Sequence, residues 1–244
     1  MLKVTGLTKI FGGLRAVDDA SIAVAEGRIV ALIGPNGAGK TTLFAAIAGF
    51  LRIDAGTVEF RGEDITGLPV HKIARRGMVR TFQITQPFAK LTVHENIAVG
   101  AYQQYADRNE AWAHAARTAA RVGMSAQLEQ PAADLTVAGR KRLELARTLA
   151  TGPKLLLLDE VMAGLNPSEI VEIIPIIRAI RESGVTVLLI EHVMHAVMSL
   201  SEEIYVLSYG KIIAHGTPKE IVENQAVVEA YLGRGAAVDA ERAA

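Results

Sequence analysis

Five apolar residues with strand character, Ile29-Val30-Ala31-Leu32-Ile33, run directly into Gly34-Pro35-Asn36-Gly37-Ala38-Gly39-Lys40-Thr41-Thr42. That junction restricts the chain to a small group of folds. The second stretch fits G-x-x-x-x-G-K-[ST], and the motif carries meaning when it follows a strand and opens a helix, which the pattern predicts here over residues 40–50. Glycines at 34, 37 and 39 let the backbone curl so that successive N–H groups face a phosphate chain, and the start of the helix adds partial positive charge. Gly34 through Thr42 therefore form the candidate cradle for a nucleoside triphosphate. Lys40 is placed to reach its β and γ phosphates, and Thr41 to offer a hydroxyl to Mg2+.

Three more apolar runs have strand length, at residues 155–158, 185–190 and 204–207. Continuous apolar strands alternating with helical stretches, predicted at 168–183 and 192–200, indicate a parallel sheet covered by helices. Alternating segments near residues 2–8, 20–24 and 57–60 read instead as a smaller antiparallel sheet. From about 88 to 150 there is no strand pattern, and Ala-rich helical sequence around Trp112, the single Trp, predicts a helical subdomain. The expected architecture is α/β: a P-loop core with an antiparallel β subdomain and an inserted α-helical subdomain. One domain is expected over residues 1–234, followed by a loosely held tail at 235–244.

Lys plus Arg and Asp plus Glu both number 26, so the formal net charge is zero and no global field favours nucleic acid. There is no Cys, which excludes a disulfide framework and thiolate metal sites. No apolar run approaches the length needed to cross a bilayer, so the expectation is a soluble chain in the cytoplasm, reaching a membrane only through partners.

Leu155-Leu156-Leu157-Leu158-Asp159-Glu160 delivers two carboxylates at the C-terminal end of a buried strand, where open parallel sheets place their ligand sites. Asp159 suits Mg2+, directly or through water, and Glu160 suits polarisation of an attacking water. No Asn-Lys-x-Asp element for reading guanine occurs, which counts against a GTPase.

The order of these elements over almost the whole chain resembles the ATP-binding cassette (ABC) family. That resemblance implies ATP as the nucleotide. It implies that Phe11, upstream of the P-loop, stacks on adenine; that Gln83 in Arg80-Thr81-Phe82-Gln83 approaches Mg2+ and the attacking water; and that His192 contacts the γ phosphate. The family's Leu-Ser-Gly-Gly-Gln signature binds the γ phosphate held by the opposite subunit. Here it is replaced by Leu135-Thr136-Val137-Ala138-Gly139, in which Thr136 keeps a hydroxyl, Ala138 is small, and Gly139 opens a helix carrying Arg140, Lys141 and Arg142. Those three cations read either as charge for an anion or as a solvated basic face. Residues 163–166 correspond to the loop that communicates between two ATP sites.

Within the family, Arg80-Thr81-Phe82-Gln83, Ala163-Gly164-Leu165-Asn166-Pro167, Ile190-Glu191-His192-Val193-Met194 and the ending His215-Gly216-Thr217-Pro218 with Tyr231-Leu232-Gly233 are similar to the LivG-type ATP-binding subunits of branched-chain amino-acid importers. The resemblance implies an ATPase working with a second ABC ATPase subunit, identical or different. Two transmembrane permease subunits would dock near Gln83 and residues 91–105, an extracytoplasmic solute-binding protein would act indirectly, and the chain would sit on the inner face of the cytoplasmic membrane. The alternatives are the ATPase of another ABC transporter, such as one exporting lipopolysaccharide, or a nucleotide-dependent regulatory protein.

Overall fold

A computed structural model of the chain describes residues 1–81 and 86–232; Gln83 and the tail expected at 235–244 lie outside them. In chain order the strands are β1 (Leu2–Phe11), β2 (Leu14–Val24), β3 (Ile29–Ile33), β4 (Ala55–Phe60), β5 (Glu63–Asp64), β6 (Met78–Arg80), β7 (Leu155–Asp159), β8 (Thr186–Ile190), β9 (Glu203–Ser208) and β10 (Lys211–Gly216). The helices are α1 (Lys40–Ile47), α2 (Val70–Arg75), α3 (Val93–Ala101), α4 (Arg108–Arg121), α5 (Val137–Leu149), α6 (Pro167–Glu182), α7 (Met194–Leu200), α8 (Pro218–Val222) and α9 (Gln225–Leu232). They fall into two compact units, one of residues 1–70 with the chain from Leu188 onward, the other of residues 71–187.

In the first unit β1 pairs antiparallel with β2 and β4, and β4 with β5, giving the expected antiparallel sheet. The apolar run of β3 pairs in parallel with β9, Ile33 opposite Val206, and β10 closes antiparallel on β9. All five residues of β3 are buried, which is why the run carries no polar alternation. Tyr205 on β9 ties the two sheets together. Its hydroxyl accepts from the Ala23 N–H at 3.1 Å and donates to the Ala23 carbonyl at 3.3 Å, and burial raises its pKa.

α1 ends at Ile47 rather than the expected residue 50, because Gly49 takes φ 78 and breaks the helical path after an Ala48 cap. α7 starts at Met194, two residues later than expected, so His192 lies in the link from β8 and not in the helix. Three of the described strands escaped the sequence reading, the two-residue β5 among them. β10 alternates exposed and half-buried residues, and β6 is three residues long.

In the second unit β6 and β7 are parallel, Arg80 opposite Leu157. Between them the chain is helical, and local chemistry sets the helix starts. Thr92 and Glu95 form a capping box for α3, Asp107 caps α4, and Thr136 caps α5. Asn166 and Glu169 box the start of α6 with Pro167 at its first position. α3 packs on α4 through buried His94, whose Nε2 lies 2.9 Å from the Trp112 carbonyl and whose ring centroid is 4.2 Å from that of Trp112.

Next to this contact, His114 packs its ring 4.9 Å from Tyr105. Burial lowers the His114 pKa from its ordinary 6.5, and the charge of Arg117 lowers it further, with Ala150 opposing and Arg121 adding to the shift. As pH falls, the unfolded chain takes up this proton before the native one. Stability drawn from neutral His114 is therefore complete above 6.5 and is lost as pH drops through the lower native value. Urea midpoints measured at about pH 7.5 and about pH 5.5 should fall less on acidification in His114→Gln than in the wild type.

Candidate functional site

The P-loop leaves β3 into a seat whose nearest atoms are backbone. A Cβ on Gly34 would stand 2.0 Å from the Leu207 carbonyl oxygen, and one on Gly39 2.2 Å from that of Ala16. The Gly210 N–H donates to the Ala38 carbonyl at 2.9 Å, and the Gly210 carbonyl accepts from the Asp18 N–H at 2.9 Å. The turn between β9 and β10 and the middle of β2 thus hold the loop from two sides. Glycine at 34 and 39 is required by these approaches. At Gly37, with φ 78 and nothing within 4 Å of a built Cβ, the requirement is conformational only.

Within that frame Lys40 is buried, with Nζ donating to the Gly34 carbonyl at 2.7 Å and the Pro35 carbonyl at 3.0 Å. The ammonium is therefore held over the curl of the loop. α1 begins behind Gly39 with no side-chain cap and no acidic residue in its first turn, so its leading N–H groups and dipole suit an anion. Asn36, Gly37 and Thr41 are exposed, Pro35 and Thr42 half-buried, and Ala38 buried against Gly34. This is chemistry for a phosphate chain. The backbone of Gly34 also hydrogen-bonds the Tyr231 hydroxyl of α9, whose pKa burial raises.

Phe11 ends β1 with its ring 46% exposed and Lys9 Nζ 5.2 Å from its centroid. It is an open aromatic face on the hairpin whose second strand touches Gly39, not a core residue. His192 is exposed, while Glu191 before it is buried.

In the second unit β7 carries Asp159 to full burial. Its Oδ2 pairs with the Arg80 guanidinium at 2.5 Å, and both side chains are almost wholly buried. Its Oδ1 is also buried and has no hydrogen-bond partner among the described residues. A buried carboxylate oxygen in that condition fits a hydrated cation that would satisfy it. Among the described residues no group of three His, Cys, Asp or Glu side chains could hold a metal ion. An ion such as Mg2+ would thus draw most of its ligands from phosphate, hydroxyl and water. Arg80 is a part of this site that sequence reasoning did not single out, although it stands at the end of a strand parallel to the one that carries Asp159.

Glu160 follows in the left-handed region, φ 48, and is half-buried. That conformation turns the chain off the strand, and the Glu160 carbonyl accepts from the Ala163 N–H at 3.1 Å.

The stretch Leu135–Gly139 begins α5. Thr136 Oγ1 accepts from the Gly139 N–H at 3.1 Å, so the hydroxyl caps the helix and keeps its proton for donation. Ala138 and Gly139 are buried and Val137 is 48% exposed, which puts Val137 rather than Ala138 at the surface. The basic triplet is corrected as well. Lys141 is buried with Nζ donating to the Glu160 carbonyl at 3.3 Å, and Arg142 pairs with Glu172 of α6. The triplet is therefore not a solvated basic face: two of its cations are tied down within the chain, and Arg140 is half-buried.

The ABC transporter family matches residues 17–163, and a family described as branched-chain amino acid ATP-binding cassette transporter matches residues 211–237. The chain belongs to the ABC transporter ATP-binding family. It is 43% identical to the high-affinity branched-chain amino acid transport ATP-binding protein BraF of Pseudomonas aeruginosa, across 96% of this chain and 98% of that one. It is 41% identical, with the same coverage, to LivG of Escherichia coli, which carries the same description. Among solved structures, the ADP conformation of an ATP-binding cassette of an ABC transporter superposes with a TM-score of 0.88 at 33% identity, covering 96% of this chain and 99% of that one. The P-loop ABC ATPase fold and a nucleotide-binding, ATP-hydrolysing role follow for this chain. Among the described residues no helix is long and apolar enough to cross a membrane.

The glycine geometry has a direct consequence for nucleotide binding. Gly39→Ala should unseat the loop, lowering the melting temperature and the affinity for an ATP analogue by more than Gly37→Ala does. The second change should cost only the roughly 1–2 kcal/mol of a left-handed non-glycine residue. Calorimetric titration and thermal melting of both variants check this, and equal behaviour would contradict the proposed seat.

Proposed function

We propose that this ABC ATPase powers import of branched-chain amino acids across the cytoplasmic membrane. The observation that carries the reading is the 41–43% identity, over nearly the full length of both chains, to proteins described as branched-chain amino acid transport ATP-binding proteins. A lipopolysaccharide export ATP-binding protein of Escherichia coli is also similar, at 37% identity, which is why lipopolysaccharide export is the alternative.

In this reading Phe11 stacks on adenine, the N–H groups of residues 34–42 and Lys40 hold the phosphates, and Thr41 with Asp159 holds Mg2+. The ion, when bound, neutralises charge developing on the transferred phosphoryl group. Glu160 polarises the attacking water, Gln83 orients it, and His192 stabilises the γ phosphate. The start of α5, with exposed Thr136 ahead of Ala138 and Gly139, faces the nucleotide of a second ABC ATPase subunit, identical to this chain or different from it. Residues 1–234 act as one cassette whose helical subdomain, about 88–150, meets two permease subunits. An extracytoplasmic solute-binding protein delivers the solute, and the chain works on the inner face of the membrane.

Magnesium-dependent ATP hydrolysis by the purified chain should be lost in Lys40→Ala and in Glu160→Gln, with ATP still bound by the second. Loss of one general base costs roughly 10²–10⁴-fold in rate. Turnover in Glu160→Gln equal to wild type would remove that residue from the mechanism. With permease partners in proteoliposomes, leucine, isoleucine or valine on the substrate side should stimulate hydrolysis. Stimulation by lipopolysaccharide instead would favour the alternative.

A further inference from the structure

We infer that Lys141 is a positioning residue for Glu160, tying the water-polarising group to the helix that starts at the altered signature. The inference rests on the role proposed for Glu160, and all of its geometry lies inside the second unit. Lys141 is only 6% exposed, and a lysine is buried to that degree only when its ammonium is hydrogen-bonded. One acceptor is the main-chain carbonyl of Glu160 itself, at 3.3 Å. The same oxygen accepts from the Ala163 N–H at 3.1 Å, so two donors from different parts of the chain fix one peptide.

That peptide needs fixing. Glu160 is a non-glycine residue at φ 48, a conformation that costs on the order of 1–3 kcal/mol and persists only when its surroundings enforce it. The carbonyl carbon is bonded to the Cα that bears the reactive side chain, so holding this carbonyl fixes ψ at Glu160 and the direction in which the chain leaves the residue. A charge-assisted hydrogen bond from a buried ammonium is a strong restraint on that torsion.

α5 also passes close to the same turn at a second point. Val137 and Lys141 are four residues apart and share a face of the helix. A Cβ built on Gly164 would lie 4.0 Å from Val137 Cγ1. One residue after Lys141, Arg142 pairs with Glu172 on the helix that follows the turn. Through Lys141 and Arg142 the first two turns of α5 thus contact the Glu160 turn and the helix beyond it. A displacement at the start of α5, where Thr136 forms the cap, is carried to the Glu160 peptide through Lys141.

The test compares wild type, Glu160→Gln, Lys141→Met and Lys141→Arg in the full chain. Met matches the length and burial of Lys without its charge, and Arg keeps the donor. Lys141→Met should lower kcat by roughly ten- to hundred-fold, the scale of a misplaced catalytic group, while leaving KM for Mg-ATP and the melting temperature nearly unchanged. Amide hydrogen exchange across residues 160–165 should quicken in Lys141→Met and return towards wild type in Lys141→Arg. Wild-type kcat in Lys141→Met, or unchanged exchange in that segment, overturns the inference. So does a loss of kcat that tracks a loss of melting temperature and is not recovered by Arg. Should Glu160→Gln hydrolyse ATP normally, the role of Glu160 falls, and the exchange result still decides whether Lys141 orders the turn.

Discussion

The rest of the first unit is arranged around a few close approaches of backbone to backbone. Gly34 lies under the Leu207 carbonyl and Gly39 under that of Ala16, while Gly210 joins the Ala38 carbonyl to the Asp18 amide. A phosphate-binding loop works by aiming N–H groups that cannot reorganise when the anion arrives, so its rigidity is part of its affinity. Here much of the rigidity comes from main-chain contacts, to which Lys40 Nζ adds two bonds to the loop's own carbonyls. This explains why the turn between β9 and β10 carries two residues in the left-handed region, Tyr209 at φ 47 and Gly210 at φ 79. A looser turn would not bring the Gly210 amide to Ala38.

The second unit solves a different problem, that of keeping charge inside protein. Asp159 is fully buried, and isolated burial of a carboxylate costs several kcal/mol. Arg80 answers for one oxygen and leaves the other buried and waiting for a positive partner. Lys141 is the converse case, a buried cation whose ammonium donates to the Glu160 carbonyl. With cations and anions equal in number, the chain has no global field to attract a polyanion such as ATP. Attraction for a polyanion must come from local devices, such as the uncapped start of α1 and the clamped ammonium of Lys40.

Most of the architecture was legible because its physical causes are local. β3, β7 and β8 are buried along their whole length, so each reads as an unbroken apolar run. The P-loop was legible because strand, glycine spacing and helix had to occur together. β10 was not, since one face is solvated and its glycine and charged residues blur the alternation. The two ties that matter most at the site were hidden for a further reason. A lysine inside Arg-Lys-Arg reads as surface, and an arginine at the end of a three-residue strand reads as punctuation. Only long-range pairing reveals that each is buried against the Asp159–Glu160 corner.

That pairing also changes how the altered signature is understood. From sequence, Val137-Ala138-Gly139 looks like a loss of phosphate-binding glycine compensated by three following cations. In the folded chain Lys141 and Arg142 are committed to Glu160 and Glu172, so they compensate nothing at the start of α5. What remains there for an anion is the Thr136 hydroxyl proton, the helix dipole and Arg140. An exposed Val137 adds an apolar surface beside them. A helix start built this way has few charge-assisted donors to offer an anion. What the head of α5 keeps is its position, because Lys141 on the next turn of the same helix is tied to the Glu160 carbonyl, and that tie holds whichever residues fill the signature.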